Sequence, residues 1–233
     1  MAEWQARVFW REVTVAPAPG GHAVHLDGRP VRTPNRAPLT LPSRPLADLV
    51  AGEWAAQAGV IRPELMPATR LANSAIEKVR PARDAVVALL AGYGETDLLC
   101  YRAEGPPGLC ALQAQGWDPL VDWAAALGIG LRTGTGVMPI AQPGAALDRL
   151  TDEVAAMDDF RLAAFHELVT LSGSAIIALA VVHGVRDPET AWTLSRIDED
   201  WQAAAWGRDA EAESVAEARR QGFLFAARFH ALA

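Results

Sequence analysis

His166-Glu167 has the opening of a zinc-binding helix, in which a second histidine one turn later completes the ligand set. Thr170 stands at that position, so the pair reads as surface groups of a helix. His22 and His25 could share a metal in a loop, but no cysteine or third ligand lies nearby. Gly128 to Gly136 is glycine-rich yet lacks the Lys-Ser/Thr of a phosphate loop and does not follow the required strand. Ser172-Gly173-Ser174 lies inside an apolar helical run, away from the sharp strand-to-helix turn of a nucleophile elbow. Such serines bond back to the helix backbone or let helices approach closely. Asp198, Glu199 and Asp200 are consecutive, and successive helical residues point about 100° apart, so they do not form an acid/base dyad. No active site, metal site or cofactor site emerges.

Binding chemistry is better represented. Asp187 to Gly207 reads as one helix, with Asp187 as N-cap, Pro188 at the first helical position and Glu189 in the positive first turn. Leu194, Ile197, Trp201 and Ala205 share one side and make a core stripe, which gives Trp201 a structural role. Trp192, Glu199 and Trp206 recur at intervals of seven and form a row on the other side. A row of two indoles and a carboxylate is either covered by a further helix or presented to a partner, since tryptophan is enriched at interaction hot spots.

The elements that must position these residues are mostly helical. Phe160 to Gly184, apolar on nearly every side between Leu168 and Val182, reads as a buried central helix. It is too short, and too interrupted by Thr170, Ser172, Gly173 and Ser174, for a membrane span. A last helix from about Ala210 to Phe229 would cover part of the tryptophan-bearing helix. The amino-terminal region differs: Val13-Thr-Val15 and Ala23-Val-His-Leu26 are β-like, and Asp27-Gly28 marks a hairpin turn. Arg7, Arg11, Arg29, Arg32 and Arg36 fall on this β unit, as a solvated face or one that meets an acidic partner. Helices follow around Trp54, from Ala68 to Lys78 and from Pro81 to Gly92, with a short extended piece at Asp97-Leu-Leu-Cys-Tyr101. Trp54 is expected to be structural, packed between the β unit and the helices. The fold class is α+β: a small amino-terminal β-rich portion over residues 1–104, then a larger all-helical domain over 105–233, with Gly105-Pro-Pro-Gly108 as the break.

The 233 residues are 51% hydrophobic, enough for one large or two modest domains with a sizeable core. A formal charge of −7 argues against a nucleic-acid binder. Cys100 and Cys110 lack metal or redox spacing, so free thiols in a reducing compartment are expected. No segment reads as transmembrane, and Met1-Ala-Glu-Trp4 begins neither a signal peptide nor an import leader, so a soluble cytoplasmic protein is expected.

Several motifs in order resemble one family. Glu53-Trp54-x-x-Gln57, Thr96-Asp-Leu-Leu-Cys-Tyr-Arg102, Trp117-Asp-Pro-Leu120, Gly136-Val-Met-Pro139, Leu171-Ser-Gly-Ser174 and Trp192-x-x-Ser195-x-x-Asp198-Glu-x-Trp201-Gln202 are similar to the ATP synthase F₁ complex assembly factor 2 family, chaperones of the F₁ α subunit. The resemblance runs from about Val8 to Phe229. It implies a two-part, non-catalytic, cofactor-free protein that holds the newly made α subunit until the β subunit replaces it. It also implies a bacterial member without import leader, and it places the family's acidic position on Glu199, where a basic group of the α subunit would pair with it. Trp192 and Trp206 would flank that contact. A monomer is expected, with no nucleic-acid or membrane partner.

Two other classes stay open on the residues. One is a small-molecule enzyme using His166, Glu167 or Glu199 in an inter-domain cleft, which a deep apolar pocket with a carboxylate of raised pKa would favour. The other is a structural subunit of a permanent complex.

Overall fold

A computed structural model describes residues 7–207 and 209–233. The chain forms two compact units. The first runs to Arg83 and takes in Asp158–Ala164 and Phe229–Ala233; the second comprises Asp84–Met157 and Phe165–Arg228.

The first unit is built on an antiparallel sheet of β1 (Val13–Ala18), β2 (Gly21–Leu26), β3 (Arg29–Pro30) and β4 (Thr40–Leu41). β2 lies centrally, pairing Val15 with Val24 on one side and His25 with Pro30 and Ala23 with Thr40 on the other. Asp27 and Gly28 both adopt positive φ at the β2–β3 turn, the geometry that tight hairpins require. Helix α1 (Arg44–Ala55), capped by the Ser43 hydroxyl on the Leu46 N–H, lays Leu46, Ala47 and Val50 against the sheet. The Ser43 hydroxyl also donates to the Leu232 carbonyl.

Residues 67–92 form one helical run with changing pitch, where two helices are expected. Helix α2 (Pro67–Ser74) passes into a wide π turn at Ala75–Val79, a 3₁₀ turn at Arg80–Ala82, and helix α3 (Arg83–Gly92). Pro81 lacks an N–H and its ring crowds the carbonyl four residues back, so the ladder changes pitch around it.

The second unit is helical apart from β5 (Tyr101–Arg102), which pairs in parallel with β6 (Gly134–Thr135). Asp97–Tyr101 is therefore a 3₁₀ turn over Leu98–Cys100 entering a two-residue strand. Helices α4 (Pro107–Ala126) and α5 (Gly144–Ala155) follow. The expected central helix is two: α6 (Asp159–Ser172) and α7 (Ala175–Val182), separated where Gly173 takes φ +72 and Ser174 turns extended to cap α7 on the Ile177 N–H. The expected Asp187–Gly207 helix is likewise α8 (Pro188–Ser195) and α9 (Ile197–Trp206), with Arg196 out of helical geometry between them. Helix α10 (Ala210–Leu232) closes the chain. Among the described residues no helix is long and apolar enough to cross a membrane. The α+β class, a small β-containing amino-terminal part before a helical carboxy-terminal region, is the one observed.

Candidate functional site

The tryptophan-bearing segment is positioned by α4. Trp117 donates its indole N–H to the Leu194 carbonyl at 2.8 Å, and the Gln113 amide donates to Asp198 at 2.6 Å. Gln113 is buried, and its amide oxygen also accepts from the Ala103 N–H, so it ties α4, the strand exit and α9 together. Gly108 and Gly116 leave notches on α4: a Cβ at Gly116 would lie 2.8 Å from Leu194 and 2.9 Å from Ile197, and one at Gly108 would lie 2.8 Å from Trp201. Trp201, half-buried, fills the Gly108 notch with its ring edge. Asp187 caps α8, its carboxylate accepting from the Thr190 N–H at 2.9 Å, and hydrogen bonding by the Thr190 side chain and then its N–H holds the Asp187 pKa below the usual value.

The opposite side of α9 faces a groove of about 750 Å³ shared with α10. Trp192, Glu199 and Trp206 all line it, despite the break at Arg196. Their environments differ sharply. Trp192 is 6% exposed, 5.7 Å from the Phe223 ring and under the Arg196 guanidinium. Trp206 is 83% exposed at the end of α9. The Glu199 side chain is 50% exposed and accepts from Arg196 at 3.0 Å.

Asp200, Asp209, Glu213 and Glu217 also line the groove, the last three from the α10 side. From sequence alone, α10 is expected only to cover part of the tryptophan-bearing helix. The spacing Asp209, Glu213, Glu217 carries the missing signal, because residues four apart on a helix share a face.

The other motif residues hold backbone. Glu53 accepts from Ala68 N at 2.5 Å, Thr69 N at 2.8 Å and the Thr69 hydroxyl at 2.7 Å, which caps α2. Burial pushes the Glu53 pKa up, against the pull of those bonds. Gln57 accepts from the Arg62 N–H at 2.7 Å. Trp54, between them, is half-buried with its ring 5.3 Å from Trp10. Asp97 is fully buried and accepts from the Ser174 hydroxyl, the Ile176 N–H and the Leu99 N–H, and burial raises its pKa.

His166 and Glu167 sit on α6 and do not line the groove that contains Glu199. A smaller cavity, of about 450 Å³, is lined by Arg102, Glu104, Gln113 and Thr135, and one in the first unit of about 260 Å³ lies among Pro17, Pro30, Pro38 and His25. Among the described residues, the two carboxylates of raised pKa, Asp97 and Glu53, line none of these three cavities. Among the described residues no three His, Cys, Asp or Glu side chains are grouped to hold a metal.

Comparison with known proteins adds a family. The model described as ATP12 chaperone protein matches residues 7–125. The crystal structure of Atp12 from Paracoccus denitrificans superposes with a TM-score of 0.95, at 53% identity over 99% of each chain. A protein of Agrobacterium tumefaciens described as a candidate chaperone gives 0.89 at 41% identity, over 95% of this chain and 84% of its own. The mitochondrial protein atp12 of Schizosaccharomyces pombe is 24% identical over 222 residues, which are 90% of this chain and 76% of that protein.

Proposed function

Because the chain belongs to the ATP12 chaperone protein family, we propose that it is a non-catalytic assembly chaperone of ATP synthase that holds the newly made F₁ α subunit in the cytosol before the α/β hexamer forms. Trp206 and Glu199 are its contact residues, and Trp192 is the floor on which they rest. A free α subunit exposes the apolar edges that β later covers, and such edges aggregate unless masked. A mask needs an aromatic anchor with a polar rim, and its release follows from competition by the stronger natural partner. The observation that carries this reading is the groove itself, with an indole 83% exposed beside a half-exposed carboxylate. It can hold a protein segment without any arrangement for bond-breaking.

The test is a capture experiment. Purified chain is mixed with refolding F₁ α subunit, and light scattering and size-exclusion chromatography follow aggregation and complex formation. Suppressed scattering with a co-eluting complex is the expected result. Failure to retain α, or equal retention of the β subunit, overturns the reading.

A further inference from the structure

The sheet of the first unit carries a cavity and a charge opposite in sign to that of the rest of the chain. Residues 7–41 hold Arg7, Arg11, Arg29, Arg32 and Arg36 against Glu12 and Asp27, a balance of +3 in a chain whose total is −7, so the other residues carry −10. All five arginines are exposed, and among the described residues none of them makes an ion pair. The Asp27 carboxylate accepts from the N–H groups of Arg11 and Glu12, at 2.9 and 2.8 Å, and Glu77 accepts from the Asn35 N–H at 2.7 Å. These carboxylates hydrogen-bond to backbone rather than to the guanidiniums.

The cavity of about 260 Å³ lies on one face of this sheet. Ala23 and His25 of β2 line it with their cross-strand partners Thr40 and Pro30, while Val24 and Leu26, which alternate with them, do not. Its floor includes Ala23 and Leu39, both buried, and His25, whose Nδ1 is buried without a hydrogen-bond partner. Its wall is Pro17, Pro19, Pro30 and Pro38, all exposed rings that hold their shape and offer no N–H. Arg32 stands beside them, its Nη1 fixed on the Arg36 carbonyl at 2.9 Å, which leaves the rest of its fork for a carboxylate.

We propose that this cavity and its arginine rim form a second docking site, for a short acidic segment of a partner protein that inserts one large apolar side chain among the prolines. The size favours a side chain, since cavities that hold a small-molecule ligand run from ~300 Å³ upwards. The charge decides what flanks that side chain: carboxylates pair with Arg29, Arg32 and Arg36, and a basic segment is repelled. A nucleic acid or an anionic membrane also meets the −10 carried by the other residues, whereas a short segment meets only the local excess. Pro17 within β1 and Pro30 within β3 lack the N–H that an added strand would pair with, so recognition runs through side chains. The site does not depend on which subunit the chain holds as a chaperone.

The test uses fluorescein-labelled heptapeptides titrated into the full chain and followed by anisotropy. One has a central phenylalanine between three glutamates on each side, one has serine in place of the phenylalanine, and one has lysines in place of the glutamates. The expected result is saturable binding of the first alone, weakened about tenfold by Arg32→Gln and lost in the triple variant Arg29→Gln, Arg32→Gln, Arg36→Gln. Ala18→Phe, which fills the cavity, should weaken it by a similar factor, and the serine peptide tests the same point on unaltered protein. Binding should fade between roughly 50 and 500 mM salt. Thermal melts establish that the variants are folded. Absence of saturable binding, equal binding of the serine peptide, or binding unchanged by the arginine variants overturns the proposal. So does equally tight binding of labelled oligothymidine or of phosphatidylserine vesicles, which would make the face a general polyanion surface. Self-association in sedimentation that Arg32→Gln abolishes would make the occupant a second copy of the chain and overturn it as well.

Discussion

Ser174 donates its hydroxyl to the fully buried Asp97 carboxylate at 2.7 Å, joining positions 77 residues apart. The same hydroxyl accepts from the Ile177 N–H, and the carboxylate also takes the Ile176 N–H. Together they close the amino-terminal end of α7, whose first N–H groups have no partner within the helix. Asp97→Ala would leave those donors buried and unsatisfied, at a cost of about 3–5 kcal/mol. Urea unfolding measures this directly, and a loss under ~1 kcal/mol would show the contact to be idle.

The same carboxylate gives a pH signature. Burial, set against the hydrogen bonds that lower it, leaves the Asp97 pKa above its ordinary 3.8. The folded state thus holds that proton more tightly than the unfolded chain does. Its contribution is complete below pH 3.8 and declines as pH rises through the folded value. Asp97→Asn cannot titrate, so wild-type stability relative to that variant should fall with rising pH across this window. A difference that rises with pH, or stays flat, would contradict the assignment.

These contacts mark where sequence reasoning stops. The α+β class and the Asp187-Pro188-Glu189 helix start are legible because periodicity and capping are local. The breaks at Gly173 and Arg196 are not, because an apolar run gives the same pattern whether or not one residue leaves helical geometry. The roles of Asp97, Glu53 and Gln113 are invisible for another reason: the bonds that tie separate elements together reach partners 15 to 85 residues away in sequence. An aspartate leading an apolar Leu-Leu-Cys run was the available hint. In the groove, the Trp192–Glu199–Trp206 row was readable from spacing, but the burial that separates Trp192 from Trp206 depends on Phe223 of α10.

The two thiols should react at different rates. Cys100 is buried, and burial followed by the nearby Asp97 charge pushes its pKa up to about 12. Cys110 is half-buried and donates to the Ala103 carbonyl at 3.2 Å. Alkylation needs the thiolate. Brief iodoacetamide treatment of native protein near neutral pH should label Cys110 first, with Cys100 labelled only on unfolding. Mass spectrometry of the digested protein decides it.

Close approach of α9 to α4 depends on the missing side chain at Gly116. A Cβ there would sit under 3.0 Å from both Leu194 and Ile197. Gly116→Val forces those side chains away and should cost about 1–3 kcal/mol despite the gain in buried apolar surface. Gly130, whose Cβ would meet nothing within 4 Å, is the control. An equal melting temperature for Gly116→Val and wild type would rule out the tight packing.

The last expectation separates the three groove residues by what each loses. Trp192, 6% exposed against Phe223, belongs to the packing of the helical unit, so Trp192→Ala should cost about 3–5 kcal/mol in stability. Trp206, 83% exposed, should tolerate alanine within ~0.5 kcal/mol. Glu199→Lys replaces a half-exposed ion pair with repulsion against Arg196, which solvent screening limits to roughly 1 kcal/mol. Binding should rank the other way. Trp206→Ala removes the anchor, and Glu199→Lys places a cation where the α subunit's basic group is to sit, so both should weaken α-subunit capture by about 2–5 kcal/mol while melting hardly shifts. Melting and capture measured on the same three variants form the test. A large melting loss for Glu199→Lys would assign that carboxylate to the fold, and unchanged capture by both exposed-residue variants would remove the groove from the chaperone's binding surface.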